Sequence, residues 1–201
     1  MALFAAVLCI QVLFCRNFIH RVKIMKKTLV SLALAAVMAS PAFANQPVQL
    51  SVPGNNLPDG NVHGFRASLL YGQTPSVTGF QLPMLGLAES QTFKGLSFGI
   101  LFGANRVTGD STGVKFGLAN WNDNTATGAD FGFANYTGSQ FTGLQFGALN
   151  YAGSLNGLQL GFINATDRIE KGIQIGLINY DKSGTFISKD IPVFPIINAR
   201  F

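Results

Sequence analysis

Beyond residue 44 this 201-residue chain has no cysteine, a single histidine and no excess of either charge. Both cysteines, Cys9 and Cys15, fall in residues 1–44, with Arg16, Arg21, Lys23, Lys26 and Lys27 and no acid. The nine Lys and Arg that follow are matched by nine Asp and Glu, so the basic pI of 9.4 belongs to the N-terminal part. Without cysteine, residues 45–201 form no disulfide and no thiolate metal site. Without a basic surplus they lack the electrostatic footprint of a nucleic-acid binder. No apolar run reaches the roughly 20 residues of a membrane-spanning helix. A chain of this length suits one domain.

The N-terminal part reads as an export signal. Met25-Lys26-Lys27 is a short basic start, residues 28–39 (TLVSLALAAVMA) are an apolar run of signal length, and Ala42-Phe43-Ala44 is an A-x-A cleavage site. Residues 25–44 are therefore expected to be a signal peptide cleaved before Asn45. Residues 1–24 precede that start and read as an upstream extension. Residues 45–61 are a lead segment, and residues 62–201 a repeat domain.

The repeat is plain. Six units begin at Gly95, Gly113, Gly128, Gly143, Gly157 and Gly172, with spacings of 18, 15, 15, 14 and 15 residues, and weaker copies begin at Gly64 and Gly79. The pattern is G-φ-x-φ-G-φ-φ-N followed by an aromatic residue and a polar turn, φ being apolar. Positions 2, 4 and 6 are apolar while 1, 3 and 5 are Gly, polar and Gly, which is the alternation of a strand. Two glycines per short segment disfavour a helix, at about 1 kcal/mol each against alanine. The fold class is all-β.

Two architectures fit. In a small antiparallel outer-membrane β-barrel of 8–10 strands, each period is one strand and one short turn, the apolar face meets lipid and the Gly/polar/Gly face lines a narrow lumen. In a β-solenoid each period is one coil, and Asn120, Asn135, Asn150, Asn164 and Asn179 stack as a ladder at one corner. The third-position residues Lys115, Asp130, Gln145, Gln159 and Gln174 then line the lumen of the barrel, where Lys115 and Asp130 can pair on adjacent strands, or form an exposed, partner-facing stripe on the solenoid. The C-terminus tips the reading towards the barrel. Apolar residues alternate behind a terminal Phe201, as in an outer-membrane assembly signal, although Pro195 interrupts them.

The G-φ-Q-φ-G-φ-φ-N units, the opening Val62-His63-Gly64-Phe65-Arg66-Ala67-Ser68-Leu69-Leu70-Tyr71-Gly72 and the ending Phe194-Pro195-Ile196-Ile197-Asn198-Ala199-Arg200-Phe201 resemble the leptospiral-type surface-repeat proteins, with relatives in Vibrio and other marine bacteria. The resemblance spans roughly residues 62–201. It implies an exported, envelope-associated β protein and carries over no catalytic residue. Phe102 stands where the unit at Gly95 should have Asn, and Pro83 where the unit at Gly79 should have its second Gly.

Catalytic chemistry has little support. Gly95-Leu96-Ser97-Phe98-Gly99 matches G-x-S-x-G, but no histidine follows it, and Ser97 sits at the variable third position. Within residues 45–201 His63 has no second His or Cys to share a metal. Asn122-Asp123-Asn124 lacks the spaced oxygens and closing Glu of a calcium loop. The expectation is a non-enzymatic surface protein with no cofactor, and with outer-membrane lipid and the barrel-assembly machinery as partners. It would reside in the outer membrane, with the periplasm or medium as the alternative for a soluble solenoid.

Overall fold

The computed structural model describes residues 45–201; the expected signal peptide and upstream extension, with the cysteines, lie outside the described residues. Eleven strands make one sheet: β1 (Asn45–Val52), β2 (Asn55–Leu57), β3 (Asn61–Ser68), β4 (Tyr71–Pro83), β5 (Leu87–Phe98), β6 (Ala104–Val107), β7 (Ser111–Asn122), β8 (Ala126–Phe146), β9 (Leu149–Leu160), β10 (Ile163–Asp181) and β11 (Val193–Arg200). From β1 through β3 to β10 every pairing is parallel, and only β2 and β11 pair antiparallel, one at each end. This is a β-solenoid of about nine turns, and the expected barrel is corrected. The barrel needs antiparallel neighbours and closure. Here each coil lies on the one before it with like residues in register, and the sheet keeps two ends, β2 and β11.

Register follows the leading glycines. Gly64 pairs with Gly79, Gly79 with Gly95, Gly95 with Gly113, Gly113 with Gly128, Gly143 with Gly157, and Gly157 with Gly172. Most of these residues have positive φ, Gly128 and Gly143 at +129°, and a Cβ on Gly143 would lie 1.9 Å from the carbonyl oxygen of Gly128. Only glycine lets the coils approach at this row.

The faces are inverted relative to an ordinary soluble solenoid. The third-position side chains point inward and are fully buried, with Lys115 and Asp130 at 1% and Gln145, Gln159 and Gln174 at 0% exposure. No stripe of them is open to a partner. The apolar positions 2 and 4 point outward. The interior apolar column is a different one, two to three residues before the leading glycine: Val77, Phe93, Ala126, Phe141, Leu155 and Ile169. These residues lie within what the sequence presents as the polar connection.

The chain turns a corner at the second glycine of each unit. Positions 6 and 7 both face outward there, as with Phe162 and Ile163 or Leu177 and Ile178, so the in–out parity flips. That flip brings the following Asn inside and puts the aromatic residue after it outside, a placement that strict alternation forbids.

The last strand tolerates Pro195 because β11 is an edge, and its register slips between Gly176 and Asn179 with Ile196 at φ 70°. Phe201 lies past the end of β11 and is 91% exposed.

The close approach of the glycine row yields a stability prediction. Gly143→Ala should lower stability by about 2–4 kcal/mol, because both the positive φ and the backbone contact oppose a methyl group. Gly54→Ala has open space around it and should lose only about 1 kcal/mol, from φ +83° alone. Urea unfolding of the two variants compares them; equal losses would show that coil contact is not limiting.

Candidate functional site: amide ladders inside, an apolar band outside

The interior carries two ladders of side-chain amides. In the first, each asparagine donates to the next coil's asparagine: Asn105 to Asn120 (2.8 Å), Asn120 to Asn135 (2.9 Å), Asn135 to Asn150 (2.9 Å), Asn150 to Asn164 (2.8 Å) and Asn164 to Asn179 (2.9 Å). The second proton of each amide also reaches a backbone carbonyl of the following coil. Asn135 donates to Phe146 O at 3.0 Å, Asn150 to Leu160 O at 2.9 Å, and Asn164 to Ile175 O at 2.9 Å. Those carbonyls belong to position 4, just before the corner, so the ladder staples successive corners together.

The second glycine of each unit is required here as well. A Cβ on Gly161 would lie 2.5 Å from the Asn150 amide nitrogen.

Asn105 is the ladder residue that the sequence pattern misses. The 18-residue unit carries an extra loop at Gly99–Gly103, which moves its Asn from the position of Phe102 to 105, in register with Asn120. The signal was present, since Asn105 lies one 15-residue period before Asn120.

The third-position ladder is built differently along its length. Gln174 donates to Gln159 (2.9 Å) and Gln159 to Gln145 (2.7 Å), and Asn198 of β11 donates to Gln174 at 3.3 Å. One and two coils earlier stand Asp130 and Lys115, whose Nζ lies 3.0 Å from Asp130 Oδ1. Asn122 donates to Asp130 Oδ2 at 2.9 Å, Lys115 also donates to Ser111 Oγ, and its ammonium lies 5.8 Å from the centre of the Phe93 ring. Nearer the N-terminal end, Arg66 donates to Ser51 Oγ (3.0 Å), Gln81 Oε1 (3.1 Å) and Glu89 O (3.0 Å). Burial lowers the Arg66 pKa to about 10, which leaves it charged at neutral pH.

These contacts consume the residues that could have done chemistry. Ser97 is fully buried with its hydroxyl on Asn105 Oδ1. Asn122 is inside, Asp123 takes the Arg106 guanidinium at 3.0 Å, and Asn124 donates to Asp110 at 2.8 Å. His63 is exposed on β3, beside Thr78 of the next coil. Among the described residues no group of three His, Cys, Asp or Glu is placed to hold a metal ion.

The outside carries the opposite chemistry. Positions 2, 4, 6 and 7 of all eight units are apolar without exception, and with eight coils they form one continuous uncharged band. Its crest is the corner, where Phe133, Phe162 and Leu177 are 61%, 64% and 68% exposed. Because position 5 is glycine, a groove of about 680 Å³ runs along the corner between Phe146, Leu160 and Ile175 on one side and Ala148, Phe162 and Leu177 on the other, ending at Ile196.

One edge of the band is a row that reads Gln73, Glu89 and Arg106 in the earlier coils, then Trp121, Tyr136 and Tyr151, then Ala165. Trp121 and Tyr136 stack with centroids 4.2 Å apart, and Tyr136 and Tyr151 at 5.1 Å with planes 10° apart. The rings spend their faces on one another, so this column is not a stacking platform for a sugar or a base. Partial burial, and then Asp167, raise the Tyr151 pKa above its ordinary value; its hydroxyl lies 3.2 Å from that carboxylate. The other edge is a polar row in register: His63, Thr78, Lys94, Thr112 and Thr127, continued by Thr142, Asn156 and Lys171.

No family model matches the chain, and neither a curated protein nor a solved structure matches it.

The buried ion pair supplies a double-mutant prediction. Lys115→Met alone should cost about 3–5 kcal/mol, because it leaves Asp130 charged and unpaired in the interior. Lys115→Met with Asp130→Leu should recover most of that loss in thermal or urea unfolding. If the single variant is as stable as the wild type, the pair is not held inside.

Proposed function

We propose that this chain is an exported, envelope-associated β-solenoid that works as a structural or surface-interaction module and not as an enzyme. The observation that carries this reading is the uncharged apolar band along the solenoid. Large contiguous apolar patches on a folded protein mark interaction sites, and this one extends over every unit of the repeat. The A-x-A leader and the resemblance to leptospiral-type surface-repeat proteins support export and an envelope location. The absence of a catalytic role is supported by the way Ser97 is committed to Asn105 and Lys115 to Asp130.

The alternative is a soluble periplasmic or secreted binding module. The polar sides of the coil, around Asp123, Ser139, Gln140 and Arg168, would suit such a life. The band favours an envelope-bound protein, because free in water it would stay uncovered.

Expression of the full chain in a Gram-negative host, followed by fractionation, tests the reading. A product beginning at Asn45 should accumulate in the envelope fraction, leave it with detergent, and stay through a salt wash. An unprocessed chain in the cytoplasm would rule out export, and a processed chain wholly in the soluble periplasm would support the alternative.

A further inference from the structure

We infer that the apolar band seats the solenoid flat on a lipid bilayer, with the corner crest sunk among the acyl chains and the coil axis in the plane of the membrane. This rests on the envelope reading above and names the partner that the reading leaves open.

Four observations support lipid. First, the band holds no charged or polar side chain in eight units, so nothing on it needs water. Second, its backbone is already paired. The strands beneath it are hydrogen-bonded to the coils on both sides, and the corner amides bond across coils too, as Phe162 N to Ala148 O (3.0 Å) and Ile178 N to Phe162 O (3.0 Å). Hydrocarbon tolerates only backbone satisfied within the protein.

Third, the two edges differ from the band in the way bilayer levels differ. Along one side Gln73, Glu89 and Arg106 of the earlier coils give way to Trp121, Tyr136 and Tyr151, and along the other runs a His/Thr/Lys/Asn row; such side chains suit the headgroup level on either side of an inserted apolar wedge. The Lys94 and Lys171 ammonium groups of the polar row complement lipid phosphates, and that row contains no acid.

Fourth, the band is convex. Its eight rungs span roughly 34 Å along the axis and about 17 Å around the coil, from the usual strand spacings. It bends at the corner, where exposure is greatest, so a flat second copy could cover one slope or the other but not both. A fluid acyl layer conforms to both slopes and fills the corner groove.

The helix-based route to membranes does not compete here, since no helix of the described residues is long and apolar enough to cross one. In-plane attachment of a strand-built wedge needs no such helix.

The test uses the protein purified from cells expressing the full chain, its leader removed by export or, failing that, by a protease site placed before Asn45, with phosphatidylcholine vesicles as the probe. The protein should float with the vesicles at low and high salt alike. Emission from Trp121, the single tryptophan of the chain, should shift to shorter wavelength on binding. Combining Phe133→Asp, Phe162→Asp and Leu177→Asp should reduce vesicle partitioning by about tenfold or more. These side chains are exposed, so circular dichroism and the melting temperature should hardly change. Ser139→Asp with Gln140→Asp, on the polar side, should leave partitioning unaltered.

Three results would overturn the inference: a monodisperse monomer that ignores vesicles, binding only to anionic vesicles that high salt abolishes, or a doubled mass without lipid that the crest substitutions return to one copy. The last would make the band an interface between chains. Failure of export in the fractionation leaves the vesicle result standing, and failure of vesicle binding leaves export standing, so the two readings fall separately.

Discussion

Everything in this molecule depends on stacking like on like. When coils of equal length lie parallel and in register, each side chain sits one strand spacing from its own counterpart. A carboxamide is the side chain best suited to that position, since it donates to the next copy of itself and accepts from the previous one. The Asn row does this over six coils, and each amide has a second proton left to hold a backbone carbonyl at the corner. A net gain of about 1 kcal/mol per bond is modest. The larger constraint is the cost, about 1–3 kcal/mol, of leaving any one of these buried groups without its partner. That cost fixes the register, and the register imposes glycine at both corner-side rows.

A ladder satisfies its middle and leaves its ends open. The Asn row closes at its start with Gln81 Nε2 and Ser97 Oγ both donating to Asn105 Oδ1, and at its finish with the Asn179 amide donating to Gly176 O at 3.2 Å. The third-position row closes at its finish on Asn198 of β11, which runs antiparallel across the last coil. Towards the N-terminus the same row changes from glutamine to charge. Lys115 and Asp130 occupy adjacent rungs and neutralise one another, and Arg66, at the N-terminal end of the row, is the one charge left over. An ion pair in such a place contributes less to stability than to uniqueness of register, because a one-rung slip separates the charges.

The sequence made the period, the strand character, the asparagine corner and the Lys115–Asp130 adjacency legible, because each depends only on spacing along one chain. It did not separate barrel from solenoid. A barrel puts the polar face in and the apolar face out for positions 1 to 5, and this solenoid does the same where a polar stripe outside was expected of it, so the two differ only in which strand lies next to which, and in what direction. The parity flip at the corner was hidden for a related reason. Gly147 and Gly161 have no side chain to register as inward or outward, so the alternation loses its phase there without any visible break. Asn105 was hidden by the loop at Gly99–Gly103, which adds three residues and places Phe102 where the pattern expects an amide. The interior column of Phe93, Phe141, Leu155 and Ile169 was hidden by its setting, single apolar residues among turn-forming ones.

An interior built of amides also determines the exterior. In most soluble folds the apolar residues of a repeat are needed inside, and the outer surface is left to polar ones. Here the ladders fill much of the interior, and the inward apolar residues account for only one or two positions per coil. The other apolar positions of the unit, four in every coil, have nowhere to go but out. A mutational drift towards polar residues on that surface would improve solubility without touching the ladders, so nothing in the folding of the coil demands the band. Its continuity over eight units, including the divergent ones at Gly64 and Gly79, therefore has to come from what the surface meets. The corner geometry then narrows the partner. A convex, uncharged crest with a glycine-floored groove, bordered by a threonine-rich row on one side and by polar and then Trp/Tyr side chains on the other, is matched by a medium that is apolar in depth, polar at its boundary and free to change shape.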